Sequence, residues 1–178
     1  KYHNINLEGH NWEYYLECSI DAAEKLMSGK YGSFKLYSTK SPDKDYRDLF
    51  ASLDAKKEEV ILAVKYSIAP SVGHNVNAWS LSSNSSGPQF TRKFVCTYLM
   101  KDGSRFTEKS GWQTMSFVEE CKDRDPRMSQ TMRTPGYMRI NGNEVLATDL
   151  GVSFTGYQPI KYVTQSAIGD YVCDQGSR

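Results

Sequence analysis

The sequence predicts a mainly helical chain with long loops and short antiparallel hairpins, so the segment as a whole is mixed α+β. Apolar residues recur at three- and four-residue spacing from Asn11 to Ser28, which is typical of an amphipathic helix. The composition becomes rich in Ser, Asn, Gly and Pro between Ala69 and Gln89, which predicts a long loop. The dipeptide Asn141-Gly142 separates two short apolar runs, and this pattern indicates a hairpin.

The chain has 178 residues, enough for one domain with a real core. The 22 basic and 21 acidic residues nearly balance, so charge gives no reason to expect a nucleic acid or an anionic lipid surface as partner. We also expect the chain to be a segment of a longer protein, because it shows no initiator Met, signal peptide or long apolar run.

Three helices are predicted from apolar spacing. In the first, from Asn11 to Ser28, small residues at Ala22 and Ala23 would let a neighbouring helix approach closely, which favours a helical hairpin or repeat. The second helix is predicted from Asp43 to Leu53, and the third from Thr91 to Met100.

Two extended regions are predicted in addition to the hairpin. The run from Glu59 to Tyr66 is rich in β-branched and apolar residues and contains neither Gly nor Pro, which favours a largely buried strand. Near the end, residues 151–163 alternate in polarity and are expected to form an extended pair around Gly156.

The stretch from Phe117 to Thr131 carries a dense charge cluster. We expect a short helix that starts at Phe117 and is ended by Pro126, followed by an extended run. Arg124 and Arg127 stand beside two aspartates in this turn. Because the arginine fork binds carboxylates or backbone carbonyls with two donors, we interpret both arginines as structural clamps of the turn.

The sequence offers no catalytic or metal-binding pattern, so we expect no cofactor and no metal. Adjacent acids such as Glu119 and Glu120 do not converge on one substrate atom, and the three histidines lack metal-ligand spacing. The four cysteines allow two disulfides in three connectivities, or buried free thiols. They are Cys18, Cys96, Cys121 and Cys173.

Aromatic residues in loops indicate a sugar-binding face. The chain has 12 Tyr, 7 Phe and 3 Trp, and an exposed ring covers the C–H face of a pyranose while amides bridge its hydroxyls. Five loop residues have that composition, and we expect them to bind ligand: Asn75, Asn77, Trp79, Trp112 and Gln113. The alternative for each tryptophan is an anchor packed against the core.

Four segments, in order, resemble the SusD/RagB family of Bacteroidetes. They are KDYRDLFASLDAKKEEVILAVKY, TRKFVCTYLMKDGSRF, RDPRMSQTMRTPG and FTGYQPIKYV. The motif LMSGKY also precedes YRDLF here, as the corresponding helix does in the family. The resemblance covers most of the chain and corresponds to the middle of the family pattern.

The resemblance implies a TPR-like helical scaffold and a loop-rich ligand face. On that basis we expect the scaffold part over residues 1–55 and the ligand-face part, with short strands and helices, over residues 56–178. It also implies a surface-exposed lipoprotein of the outer membrane that takes part in polysaccharide utilisation. Such a protein binds an oligosaccharide or polysaccharide without cleaving it and delivers it to a TonB-dependent, SusC-like transporter. Membrane attachment is expected only through a lipid anchor on an amino-terminal part missing here. Two alternatives remain at this point: a glycoside hydrolase from the same kind of locus, and a protein-binding helical scaffold or adhesin.

Overall fold

The regular secondary structure of the chain is mainly helical, which confirms the predicted fold class. The computed structural model describes residues 6–52, 54–66, 80, 89–140, 142–163 and 176–177. The helices are α1 (Trp12–Met27), α2 (Asp45–Ala51), α3 (Arg92–Val95), α4 (Phe117–Glu120) and α5 (Pro126–Thr131), with 3-10 helices at Phe106–Glu108 and Trp112–Thr114. Strands β1 (Lys65–Tyr66) and β2 (Gly176–Ser177) pair antiparallel.

The described residues group into two compact units. The first contains those up to residue 37 together with residues 57–61, and the second contains residues 38–56 together with those from residue 62 onward. The proposed division into a scaffold part and a ligand-face part is a functional one, and it stays a prediction.

Helix α1 confirms the first predicted helix. Asn11 caps its start by accepting a hydrogen bond from the Tyr14 amide at 3.1 Å, and Gly29 follows its end with φ +79°. None of its residues is buried. Its apolar residues Leu16 and Ile20 are about half exposed, so the neighbouring helix remains a prediction. No helix among the described residues has both the length and the apolar character that crossing a membrane requires.

Helix α2 lies within the predicted second helix, whose last residue, Leu53, is outside the described residues. Its first residue, Asp45, is buried and holds the preceding loop. The Asp45 carboxylate accepts hydrogen bonds from Ser38, Thr39 and Ser41. These bonds, that from the Thr39 hydroxyl first, lower the pKa of the Asp45 carboxyl.

The predicted strand from Glu59 to Tyr66 is mostly wrong. Only Lys65–Tyr66 is a strand, while Ile61, Leu62 and Val64 are exposed. A strand propensity is realised when a neighbouring strand and a packed face are present. Within the described part of the chain, the pairing partner of this run is the two-residue strand β2.

The third helix is shorter than predicted, because α3 ends at Val95. Leu99 and Met100 form isolated β-bridges with Arg105 and Arg124 instead. The Met100 amide donates to the Ser104 carbonyl at 2.8 Å, closing a turn at Gly103, which has φ +87°. The Val95 carbonyl accepts from the Tyr98 amide at 3.3 Å and from Arg124 Nη2 at 2.9 Å, and the Tyr98 carbonyl also accepts from Arg124 Nη2.

The region around Pro126 contains two helices rather than a helix and an extended run. Helix α4 ends at Glu120, well before the proline. Pro126 is then the first residue of α5, and Asp125 caps that helix by accepting from the Arg127 amide at 2.9 Å. A proline is well tolerated at this position because the first helical amide has no intrahelical partner.

Arg124 is confirmed as a structural clamp, and Arg127 is a weaker one. Arg124 is 6% exposed, and its guanidinium donates to the carbonyls of Glu120, Val95 and Tyr98 at 2.8–2.9 Å. It also stacks on the Phe106 ring at 4.0 Å. The Arg127 side chain pairs with Asp125 but remains 61% exposed.

The chain after α5 pairs with the segment predicted to fold back on itself around Gly156. The Arg133 amide donates to the Gln158 carbonyl at 2.9 Å, and the Ile160 amide donates to the Thr131 carbonyl at 2.8 Å. The second half of the predicted extended pair therefore has a different partner, because turn formation at Gly156 (φ +78°) does not by itself select which strand segment pairs.

The predicted hairpin is present as a bridge between Met138 and Val145, with Asn141 outside the described residues. The Leu146 amide donates to the Tyr137 carbonyl at 2.8 Å. The buried core lies in two clusters in this unit. One contains Tyr137, Ile160 and Val163, and the other contains Val95, Met128, Met132 and Tyr157.

The three described cysteines are free thiols: Cys18, Cys96 and Cys121. Burial raises the pKa of Cys121 to about 11, so this thiol stays protonated at neutral pH. Cys173 lies outside the described residues.

Candidate ligand-binding site

Two of the five predicted ligand-binding residues, Trp112 and Gln113, lie in the described part of the chain. They are adjacent on the 3-10 helix Trp112–Thr114. Gly111 begins this helix with φ +73°, a left-handed conformation that glycine adopts without steric cost. Asn75, Asn77 and Trp79 lie outside the described residues, so their position relative to Trp112 stays a prediction.

Trp112 is half-buried, with contacts on two sides. The Phe106 ring meets it edge to face at a centroid distance of 6.0 Å. The Arg92 guanidinium carbon lies 5.4 Å from its ring centroid. The side chain is therefore partly an anchor, as the alternative interpretation expected, while the neighbouring Gln113 is exposed.

Arg92 connects this 3-10 helix to a buried acid. Its guanidinium donates to the Trp112 and Gln113 carbonyls at 2.8 and 2.7 Å, and its Nε donates to Glu120 Oε1 at 2.8 Å. The hydrogen bond to Glu120 raises the pKa of the guanidinium. The Arg92 side chain nevertheless remains 38% exposed, so part of it is accessible from solvent.

Glu120 is held by a second donor. The Tyr157 hydroxyl donates to its Oε2 at 2.8 Å, and Glu120 is 3% exposed. Burial raises the pKa of Tyr157 well above its ordinary value, and the hydrogen bond to Glu120 raises it further. Both carboxylate oxygens thus have a donor, as a buried charge requires.

A groove of about 500 Å³ opens beside this network, and we call it the polar groove. It is lined by Thr91, Arg92, Met115, Phe117, Glu120, Thr155 and Tyr157. Aromatic rings, a partly exposed guanidinium and hydroxyls are the groups that contact the C–H face and the hydroxyl rim of a sugar. The polar groove can therefore bind a polyhydroxylated ligand.

A second groove of about 600 Å³, the apolar groove, shares Phe117, Thr155 and Tyr157 with the first. It is lined by Phe117, Val118, residues 134–136, residues 145–148, Leu150 and residues 155–157. The shared aromatic residues form a common wall, so the two grooves are adjacent on the same unit.

The polar groove differs from a hydrolytic site in its acids. Among the described residues that line it, Glu120 is the only carboxylate, whereas glycoside hydrolysis commonly uses two across a gap of about 5–10 Å. The described residues also contain no group of three or more His, Cys, Asp or Glu that could hold a metal ion.

Sequence reasoning missed Arg92, Glu120 and Tyr157. Glu120 lies three residues after Phe117 on α4, so helical spacing would have placed it on the inward face. An acid at an inward position requires donors, and that signal was available. The partners of Glu120 could not be predicted from the sequence, because Arg92 and Tyr157 are separated from it by 28 and 37 residues.

Comparison with known proteins identifies one family. A protein-family model described as the SusD family matches residues 27–173, which is most of the chain. No curated protein and no solved structure matches. The matched range includes both grooves and all five predicted ligand-binding residues.

Proposed function

This chain belongs to the SusD family, and on that premise we propose that it captures a glycan at the cell surface and passes it on without cleaving it. Membership in the family supports a nutrient-binding role at the surface of the outer membrane. The family match over residues 27–173 is the observation that carries the proposal.

The glycan binds, in this proposal, along the polar groove and the adjacent 3-10 helix. The Gln113 amide is exposed and can donate to one sugar hydroxyl while accepting from another. Arg92 has one Nη1–H left beyond its bonds to Glu120, Trp112 and Gln113, and it can donate to the sugar. The half-buried Phe117 supplies ring surface. We include Trp79, Asn75 and Asn77 in the proposed site because the sequence predicts that they bind ligand.

The proposed partner is a TonB-dependent, SusC-like transporter, and the proposed attachment is a lipid anchor. Both follow from what SusD-family proteins generally do. In this scheme the chain holds an oligosaccharide until the transporter accepts it, and the protein needs no cofactor.

A hydrolase is the less favoured alternative, since Glu120 is already bound by Arg92 and Tyr157. We expect a panel of polysaccharides to release no reducing ends when incubated with the protein. If the protein does cleave a polysaccharide and one Asp or Glu substitution abolishes that activity, its function is catalysis rather than capture.

The test of binding is a glycan array followed by isothermal titration calorimetry on the full-length protein. For the best glycan, Trp79→Ala is expected to weaken binding about 5- to 150-fold, by analogy with the loss of a ring that stacks on a base. Gln113→Ala should weaken it less, because it removes polar contacts and no ring. Trp112→Phe tests the half-buried tryptophan while preserving a ring against Phe106.

The matched control is Trp12→Ala, which removes the same residue type from the exposed surface of α1. It should leave the affinity unchanged. Full affinity in Trp79→Ala, Gln113→Ala and Trp112→Phe would remove these residues from the site. If no glycan on the array binds, the proposed ligand class is wrong.

A further inference from the structure

Two arginines lie against the ring of the buried Tyr137 in the second unit, and a third arginine follows Tyr137 closely in the chain. The Arg47 and Arg133 guanidinium carbons lie 5.1 and 5.4 Å from the Tyr137 ring centroid. Arg139 follows two residues later and is close enough for its charge to act on Arg133. We call Arg47, Arg133 and Arg139 the arginine cluster.

Two members of the cluster also hold backbone. Arg47 Nη1 donates to the Met138 carbonyl at 3.0 Å, and Arg133 Nη1 donates to the Ala147 carbonyl at 2.7 Å. These bonds connect α2 to one side of the hairpin and the segment after α5 to the other. Residues 145–148 of this hairpin also line the apolar groove, so the cluster and the groove share a scaffold.

Among the described residues, no acid binds the arginine cluster directly. Within the described part of the chain, none of the three arginines makes a salt bridge, and the Nε atom of each is buried without a hydrogen-bond partner. Asp149 acts on Arg133 only through its charge, and its Oδ1 accepts from the Gly151 amide instead.

Burial lowers the pKa of Arg133, and the neighbouring charge of Arg139 lowers it further. Like charges brought together in a poorly solvated place repel each other unless a counter-charge is bound. A structural clamp accounts for Arg47 and Arg133, but the Arg139 side chain makes no hydrogen bond to the described residues. Its Nε is buried without a hydrogen-bond partner, and this is the feature that a clamp does not explain.

We propose that Arg47, Arg133 and Arg139 form a subsite for an oxyanion, namely the carboxylate or sulfate group of an acidic glycan. A guanidinium fork matches the two oxygens of such a group, and the bound anion would offset the repulsion within the cluster. Arg133 is 6% exposed, so the anion approaches through Arg47 and Arg139, which are half-buried. This inference deepens the proposed function, because it rests on glycan binding and names the glycan as acidic.

The test compares acidic and neutral forms of the same oligosaccharide by calorimetry on the full-length protein. The probes are a galacturonic acid trisaccharide against its methyl ester, and a sulfated galactan oligosaccharide against its desulfated form. At least one acidic probe should bind about 10- to 100-fold more tightly than its neutral partner, as expected for a charge-assisted hydrogen-bonded pair. Which pair shows the preference identifies carboxylate or sulfate as the source.

Arg139→Gln should abolish that preference. It is the variant of choice because Arg139 is half-buried and its side chain binds no described backbone group, so the fold should survive. The control, Arg105→Gln, removes the same charge from an exposed arginine outside the cluster and should retain the preference. Equal affinity for both members of each pair overturns the proposal, as does a preference that survives in Arg139→Gln.

Failure of the glycan proposal alone gives a different result. If no oligosaccharide binds, the proposed function fails for these sugars, and inorganic sulfate then tests the subsite directly. Sulfate at constant ionic strength should raise the melting temperature of the wild-type and Arg105→Gln proteins more than that of Arg139→Gln. An equal rise in all three overturns the oxyanion subsite.

Discussion

Helix α1 and the region around Arg124 are built in opposite ways. Helix α1 has 16 residues, satisfies its own ends and buries none of its side chains. The helices around Arg124 have four to six residues, yet they contribute Val95, Met128 and other residues to a buried core. The length of a helix therefore does not predict how much of it is buried.

The difference lies in where the terminal backbone groups of each helix find partners. A helix leaves its last carbonyls without intrahelical donors, and in a four-residue helix these are most of its carbonyls. Arg124 donates to carbonyls at the ends of both α3 and α4, so one side chain completes two helices and holds them together. Helix α1 needs no such help, because Asn11 and Ser28 cap it locally.

The largest effect is expected from Arg124→Ala. This change removes the Arg124 donor from the Glu120, Val95 and Tyr98 carbonyls, of which Val95 keeps the Tyr98 amide. It also removes the stacking of the buried guanidinium on Phe106, so we expect a loss of about 3–5 kcal/mol in the free energy of unfolding. Urea denaturation followed by circular dichroism measures it. Arg127→Ala is the matched control in the same turn, and its exposed pair with Asp125 should contribute less than about 1 kcal/mol.

Two results would contradict this comparison. If Arg124→Ala is no less stable than Arg127→Ala, the carbonyls have other partners and the short helices do not depend on a single guanidinium. If Arg127→Ala is the less stable variant, the clamp of the turn is the exposed pair.

A smaller effect is expected from Tyr157→Phe, which removes one hydrogen bond to the buried Glu120 carboxylate. Bonds to charged groups contribute about 1.5–3 kcal/mol to stability. The pKa of Tyr157 is raised in the folded protein, by burial first and by Glu120 second. The folded state therefore holds the Tyr157 proton more tightly than the unfolded chain does. The contribution of this protonated hydroxyl to the unfolding free energy is fully present below the unfolded pKa of about 10.

That stability is lost as pH rises above about 10 toward the folded pKa. The difference in unfolding free energy between wild type and Tyr157→Phe should consequently shrink in alkaline solution. Tyr98→Phe is the control, since Tyr98 packs against the same core cluster and its hydroxyl makes no hydrogen bond to the described residues. A pH-independent difference, or an equal loss in Tyr98→Phe, would mean that the Glu120 bond is not responsible.

The same contrast explains which parts of the fold the sequence predicts. Periodicity, a capping residue and a terminal glycine are local, and they predicted α1 closely. Predictions that needed a distant partner fared worse. The run from Glu59 to Tyr66 has strand composition but little pairing, and residues 157–160 pair with the chain after α5 rather than across Gly156, because neither pattern records the partner.

The candidate site shows the same limit. Trp112 and Gln113 could be singled out from composition, but their connection to Glu120 through Arg92 spans distant segments and has no local signature. Pro126 is instructive in a different way. A proline is compatible with the end of one helix and with the start of the next, and the capping aspartate before it was the clue that favoured the start.

The smallest effect is expected on the apolar face of α1, and it decides whether the comparison holds. Leu16 is 51% exposed, so Leu16→Ala removes little buried surface and should change the free energy of unfolding of the 178-residue chain by less than about 0.5 kcal/mol. Met128→Ala, at a position that is 1% exposed, should lose about 2–5 kcal/mol through cavity formation.

The sequence predicted a neighbouring helix against Ala22 and Ala23, and the same pair of substitutions in the full-length protein tests it. If Leu16→Ala in the full-length protein loses nearly as much unfolding free energy as Met128→Ala, while the 178-residue chain shows no such loss, another part of the protein covers this face. Near-equal losses in the 178-residue chain itself would instead mean that α1 is as buried as the region around Arg124, and the contrast drawn between them would be wrong.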